Sequence, residues 1–213
     1  MRAIVVPVKS LSRTKTRLSA TLTPLERGAL TLAMLEDVLD ATLDAPGWET
    51  WVISPDEAVL EVAARRGVRP IAEVRPGLAA AIRQAEALAV EERAAALAVL
   101  PADLPLLSAE ALNAALRTLG PVVLVRSSRD GTGLLLRRPP KAIPARFGPD
   151  SFRKHAELAS AKGLPVSLIE RPELSFDLDV PSDILTLLED GKRGRTREVC
   201  IDMDIAGRLA VNA

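Results

Sequence analysis

An α/β fold, a single mixed but mostly parallel sheet with helices on both faces, is predicted by three observations. Short apolar runs rich in Val, Ile and Leu alternate with longer amphipathic segments along the chain. Gly and Pro punctuate most of the junctions between them. Finally, 213 residues are enough for one full α/β domain with a proper core, and no internal repeat or linker divides them.

Residues 3–8 read as a buried first strand, because the run is apolar and β-branched. Thr23-Pro24-Leu25-Glu26 then signals a helix start: a capping Thr, Pro at the first helical position, and Glu three residues after the cap. That helix runs to residue 43, before Pro46-Gly47. Residues 48–54 form a second strand, 56–66 a helix closed by Gly67, and 68–72 a third strand. An Ala-rich helix follows over 77–89, and 96–100 is a short buried strand that delivers Asp103 to its C-terminal end. Ser108 caps a helix over 108–119 that Gly120 ends. Residues 121–126 and 134–137 are two more strands, joined by 127–133. A helix over 151–162 stops at Gly163, 166–169 is a strand, and 181–189 is a helix. We therefore divide the chain into a domain over 1–190 and a tail over 191–213. In the tail Val199, Ile201, Met203 and Ile205 alternate, which reads as an added strand able to pair with a second subunit in a homodimer.

Composition narrows the function classes. The chain carries 28 basic and 28 acidic residues, so nothing draws it as a whole to nucleic acid or an anionic membrane. Aromatics are 2% with no Tyr, leaving few platforms for stacked bases. Cys200 is the single cysteine, which excludes an internal disulfide and a cysteine-built metal site. The apolar start is too short for a signal peptide and no segment reaches the length of a membrane span, so a cytoplasmic location is expected.

In mainly parallel sheets ligands bind at the carboxyl ends of strands. The loop after the first strand holds Lys9, Arg13, Lys15 and Arg17 within nine residues, a cationic set suited to a polyphosphate. It lacks the glycines of a Walker loop. Pro101-Ala102-Asp103-Leu104-Pro105 follows the short buried strand at 96–100. Asp177-Leu178-Asp179 has the spacing that puts two carboxylates on one side of a strand, and either is a candidate ligand, with Asp103, for a hard cation such as Mg²⁺. Asp183 sits in the first turn of the next helix, where the dipole favours a carboxylate, and is read as structural. Phe147-Gly148-Pro149-Asp150-Ser151-Phe152 opens a helix whose free N–H groups suit an anion. His155 is the sole histidine and reads as structural; no Ser/His/Asp or Cys/His arrangement can be defended. Together these features suggest an enzyme that handles a nucleoside triphosphate.

The same landmarks resemble the phospholactate guanylyltransferases, which make the guanylylated precursor of the deazaflavin coenzyme F-420. The resemblance rests on Val6-Pro7-Val8-Lys9 with Lys15-Thr16-Arg17-Leu18-Ser19, on Pro101–Pro105 and Ser128-Arg129-Asp130-Gly131, and on Phe147–Phe152 with His155 and Asp177-Leu178-Asp179. It implies a Rossmann-like nucleotidyltransferase fold, Mg²⁺ as cofactor, and GTP as donor. The acceptor would be a small phosphorylated acid: phosphoenolpyruvate, 2-phospho-L-lactate or 3-phosphoglycerate. It further implies that Asp103 with Asp177 or Asp179 holds the metal, and that Lys9, Lys15 and Arg17, with the region of Gly77, meet the nucleotide. Thr132, Gly148 and Ser151 would cradle the acceptor's phosphate or carboxylate, mainly through backbone groups. The chain has Gly77-Leu78-Ala79 where this family usually has Gly-Leu-Asn, and a shorter Gly131-Thr132-Gly133 segment. A molybdenum-cofactor or sugar-type nucleotidyltransferase shares the fold but usually begins with a glycine-rich loop, which Ser10-Leu11-Ser12-Arg13 is not. A nucleotide-binding protein without turnover would have less need of the acidic residues.

Overall fold

The computed structural model describes residues 1–211. Seven strands form one sheet: β1 (Arg2–Pro7), β2 (Glu49–Ser54), β3 (Arg69–Ala72), β4 (Ala96–Val99), β5 (Val122–Arg126), β6 (Thr132–Arg137) and β7 (Val166–Ile169). Its order is β3-β2-β1-β4-β6-β5-β7. Only β6 runs antiparallel to its neighbours; the other pairings are parallel. The strand runs are apolar on both sides because both faces are covered. In β1, Ile4 and Val6 enter one core while Ala3 and Val5 enter the other, all of them fully buried.

Crossover helices build the two outer layers. These are α1 (Pro24–Leu43), α2 (Glu57–Arg65), α3 (Leu78–Glu91), α4 (Ala109–Arg117) and α5 (Ser151–Ala161). Helix α1 begins with the expected reciprocal cap: Glu26 N–H donates to Thr23 Oγ1 and Thr23 N–H to Glu26 Oε2. Helices α1, α2 and α4 cover one face, and α3 with α5 the other. The short α6 (Pro172–Ser175) and α7 (Pro181–Asp190) follow β7. Among the described residues no helix is long and apolar enough to cross a membrane.

Two expectations are corrected. Among the described residues the tail forms no strand: it folds as α8 (Arg195–Asp202) and α9 (Ile205–Val211), packed against α1 and α7. The alternating Val199-to-Ile205 pattern was the wrong period to follow. Thr196 and Cys200 are buried one helical turn apart, while Ile201 is 56% exposed. Nor does a strand form at Asp177–Leu178–Asp179, which is irregular chain between α6 and α7. Without a pleat, nothing keeps its two carboxylates on one side.

Candidate active site

The topology gathers the site. Because six strands point one way and β6 the other, one edge of the sheet receives the loops after β1, β4, β5 and β7 and the start of β6. Strand β1 is joined by its crossovers to one side and β4 to the other, so a crevice opens between their ends. A cavity of about 390 Å³ lies there. It is lined by Lys9, Arg13, Lys15 and Arg17 from the first loop, Asp103 after β4, and Asp179 before α7. Thr31 and Met34 of α1, Leu78 at the start of α3, and Phe147 complete its walls. Four cations face two carboxylates, an excess of positive charge that suits a polyanion.

The first loop is shaped by two 3₁₀ turns, Leu11–Arg13 and Thr16–Leu18, that meet at Lys15. Lys15 takes a left-handed conformation, φ +46° and ψ +43°, which costs a non-glycine residue about 1–2 kcal/mol. Its surroundings hold it there. Arg27 of α1 is buried and donates to the carbonyls of Thr14 and Leu22, at 3.2 and 2.9 Å. Thr14 and Thr31 share a buried hydroxyl contact, Leu11 N–H donates to Asp56, and Leu18 anchors the loop in the core.

Lys15 Nζ then reaches across the cavity. It lies 2.8 Å from Asp103 Oδ2 and 3.9 Å from Asp179 Oδ1, and donates to Leu178 O; its side chain is only 6% exposed. Leu178 N–H donates to Asp103 O at 3.0 Å, so the two acidic segments are joined through their backbones as well. Arg17 pairs with the other oxygen of Asp179. The side chains of Lys9 and Arg13 make no hydrogen bond or ion pair with the described residues.

Lys9, Lys15, Arg17, Asp103 and Asp179 thus come together as expected from sequence. Gly77 does not line the cavity but directly precedes Leu78, which does; its φ of +113° favours glycine where the chain turns into α3. Asp177 is a correction. It does not line the cavity but accepts from Ser128 Oγ and pairs with Arg129 at 3.2 Å. Asp183 is structural, accepting the N–H groups of Asp179 and Val180 at 2.7 and 2.8 Å.

The side chains of Thr132 and Ser151 are buried, which leaves their backbone groups, rather than their hydroxyls, for the cradling role expected of them. The two residues are 4% and 1% exposed, their hydroxyls are 3.0 Å apart, and Thr132 Oγ1 is 3.0 Å from His155 Nδ1. His155 Nε2 accepts Arg146 N–H at 2.8 Å. Burial, with the nearby Arg137 charge, pushes the imidazole down to about 4 and keeps it neutral at physiological pH. Its ring meets Phe147 edge-on, with centroids 5.2 Å apart. Gly148 follows Phe147 with φ +122° and open space where a Cβ would stand, so backbone there is approachable. Sequence reasoning missed Phe147 and Leu78 as wall residues, although Phe147 opens the segment it had singled out.

Among the described residues no group of three or more His, Cys, Asp or Glu forms a metal site. Asp103 and Asp179 nonetheless straddle a cation already, the Lys15 ammonium. Two hard oxygen ligands of this kind suit a divalent ion that takes its other positions from water or phosphate oxygens.

Comparisons with known proteins identify the family. A family model described as "Guanylyl transferase CofC like" matches residues 1–208. The phosphoenolpyruvate guanylyltransferase of Rubrobacter xylanophilus is 43% identical over 191 residues, covering 88% of this chain and 93% of that one. The 3-phospho-D-glycerate guanylyltransferase of Phenylobacterium zucineum is 39% identical over 211 residues, covering 95% and 97%. Among solved structures, a nucleotidyl transferase from Methanothermobacter superimposes with a TM-score of 0.66 at 19% identity, covering 89% of this chain and 97% of that one.

Proposed function

We propose for this chain, which belongs to the CofC-like guanylyl transferases, the reaction of its relatives: transfer of GMP from GTP to a small phosphorylated three-carbon acid in coenzyme F-420 biosynthesis. Phosphoenolpyruvate, 3-phosphoglycerate and 2-phospho-L-lactate are the acceptors that the names of the relatives support. One observation carries the reading. Lys15, Asp103 and Asp179, drawn from three distant segments, meet in one cavity with an excess of positive charge.

The chemistry needs few parts. An acceptor phosphate oxygen attacks the α-phosphorus of GTP; the new P–O bond forms as the bond to the bridging oxygen of the β-phosphate breaks, and pyrophosphate leaves with that electron pair. The attacking oxygen is already anionic at neutral pH, so no general base is required. That fits a site whose nearest imidazole is buried and committed on both nitrogens. Lys9, Arg13 and Arg17 would bind the triphosphate, and Lys15 would stabilise charge developing on the leaving group. Asp103 and Asp179 would hold Mg²⁺, which when bound neutralises phosphate charge. Leu78 and Phe147 give the pocket apolar walls that exclude water and orient the reactants.

The test is pyrophosphate release from GTP and Mg²⁺ with each of the three acids in turn. Release with at least one acid is expected, and none without acceptor. Silence with all three, while a known guanylyltransferase works in the same assay, rejects the reading.

A further inference from the structure

We propose that Arg129 is a positioning residue that sets Asp179 in the cavity wall. The inference rests on the site reading above. Arg129 lies in the loop between β5 and β6, outside the cavity lining, yet it is the most heavily engaged cation near the site. Its Nη2 donates to both oxygens of Asp183 at 2.7 and 2.6 Å, and its Nη1 to the backbone and side chain of Asp177 at 3.0 and 3.2 Å. Asp183 in turn receives Asp179 N–H and Val180 N–H.

Asp179 is therefore fixed from behind. Its carboxylate faces Lys15 and Arg17, while its amide is held by the Asp183 carboxylate, which one arm of the Arg129 fork grips as the other arm holds Asp177. The clamp is only one-third exposed, and its acidic partners less. Removing the guanidinium would leave two carboxylates facing each other and free the chain at Asp179.

The same loop also contacts the start of α5. Asp130 O accepts Phe152 N–H, and Thr132, the first residue of β6, bonds Ser151 and His155, whose ring braces Phe147. The loop and the start of β6 thus contact the segments that carry Asp179 and Phe147 without lining the cavity. Ligand-holding side chains fixed by such outer contacts lose affinity when the contacts go.

Direct binding of Mn²⁺ in the presence of GTP without acceptor, read by electron paramagnetic resonance, tests this apart from turnover. Arg129→Met should weaken Mn²⁺ binding by about tenfold or more, and Arg129→Lys should recover part of the loss. Arg153→Gln, which breaks an exposed pair on α5, should leave it unchanged. Should Arg129→Met fail to fold, Ser128→Ala removes only the hydroxyl bond to Asp177 and should weaken binding in the same direction. Asp103→Asn calibrates the assay. If it abolishes Mn²⁺ binding while the folded Arg129 variants and Ser128→Ala bind as wild type, the positioning role is overturned and the site reading stands. If Asp103→Asn also binds as wild type, the site reading itself fails, and this inference with it.

Discussion

Lys15 concentrates what single residues do in this protein. It accepts an unfavourable backbone conformation and gives up nearly all solvent, and in return its ammonium bridges two carboxylates from remote parts of the chain. His155 is the opposite case, a titratable group made inert. The neutral ring is the native form, so the unfolded chain binds its proton at higher pH, near 6.5, and the folded chain only near 4. Its contribution to stability is complete above pH 6.5 and is lost as pH falls towards 4, by roughly 3 kcal/mol in all. Urea midpoints measured between pH 7 and pH 4 should show this decline, and His155→Gln should flatten it while lowering stability at pH 7. The sequence supported reading this lone histidine as structural. It could not separate Asp177 from Asp179, because the choice depends on Ser128 and Arg129, 49 and 48 residues earlier, which claim Asp177.

At the scale of elements, β6 shows how one residue sets a boundary. The register between β5 and β6 shifts between Val125 and Arg126, and Gly133 is the extra residue of that bulge. A Cβ at Gly133 would stand 1.9 Å from the Leu174 carbonyl of α6. Gly133→Ala should therefore destabilise the fold by about 2 kcal/mol or more, read as a lower urea midpoint. Strand β6 begins at Thr132, two residues before the sequence reading placed it, because glycines mark both turns and bulges. Most other elements were legible, since strands buried on both faces and helices with clear caps announce themselves locally. Helix α8 was not. Its cap is Asp37 of α1, which accepts the N–H groups of Arg195 and Thr196 at 2.8 and 2.9 Å from across the chain.

Across the whole molecule, the C-terminal helices belong to the site's foundation. Cys200 and Ile205 share a core with Leu18 of the cationic loop, Leu30 and Met34 of α1, and Leu178 between the two acidic positions. Lys192, just before α8, donates to the carbonyls of Pro105 and Leu107, beside the Asp103 turn. A chain ending at Asp190 should lose more than about 3 kcal/mol, seen in urea unfolding, and should bind GTP more weakly by calorimetry. Unchanged stability and GTP affinity would show that the tail is dispensable. The amino-acid sequence by itself determined the strands, most helices, the cationic loop and the three acidic positions worth watching, because each rests on contacts or spacings within a few residues. Only the tertiary structure decided which carboxylate faces the cavity, that the Thr132 and Ser151 side chains are buried, and that the described part of the tail is helical. Those outcomes depend on partners tens of residues away or more, brought near by the order in which the strands pair.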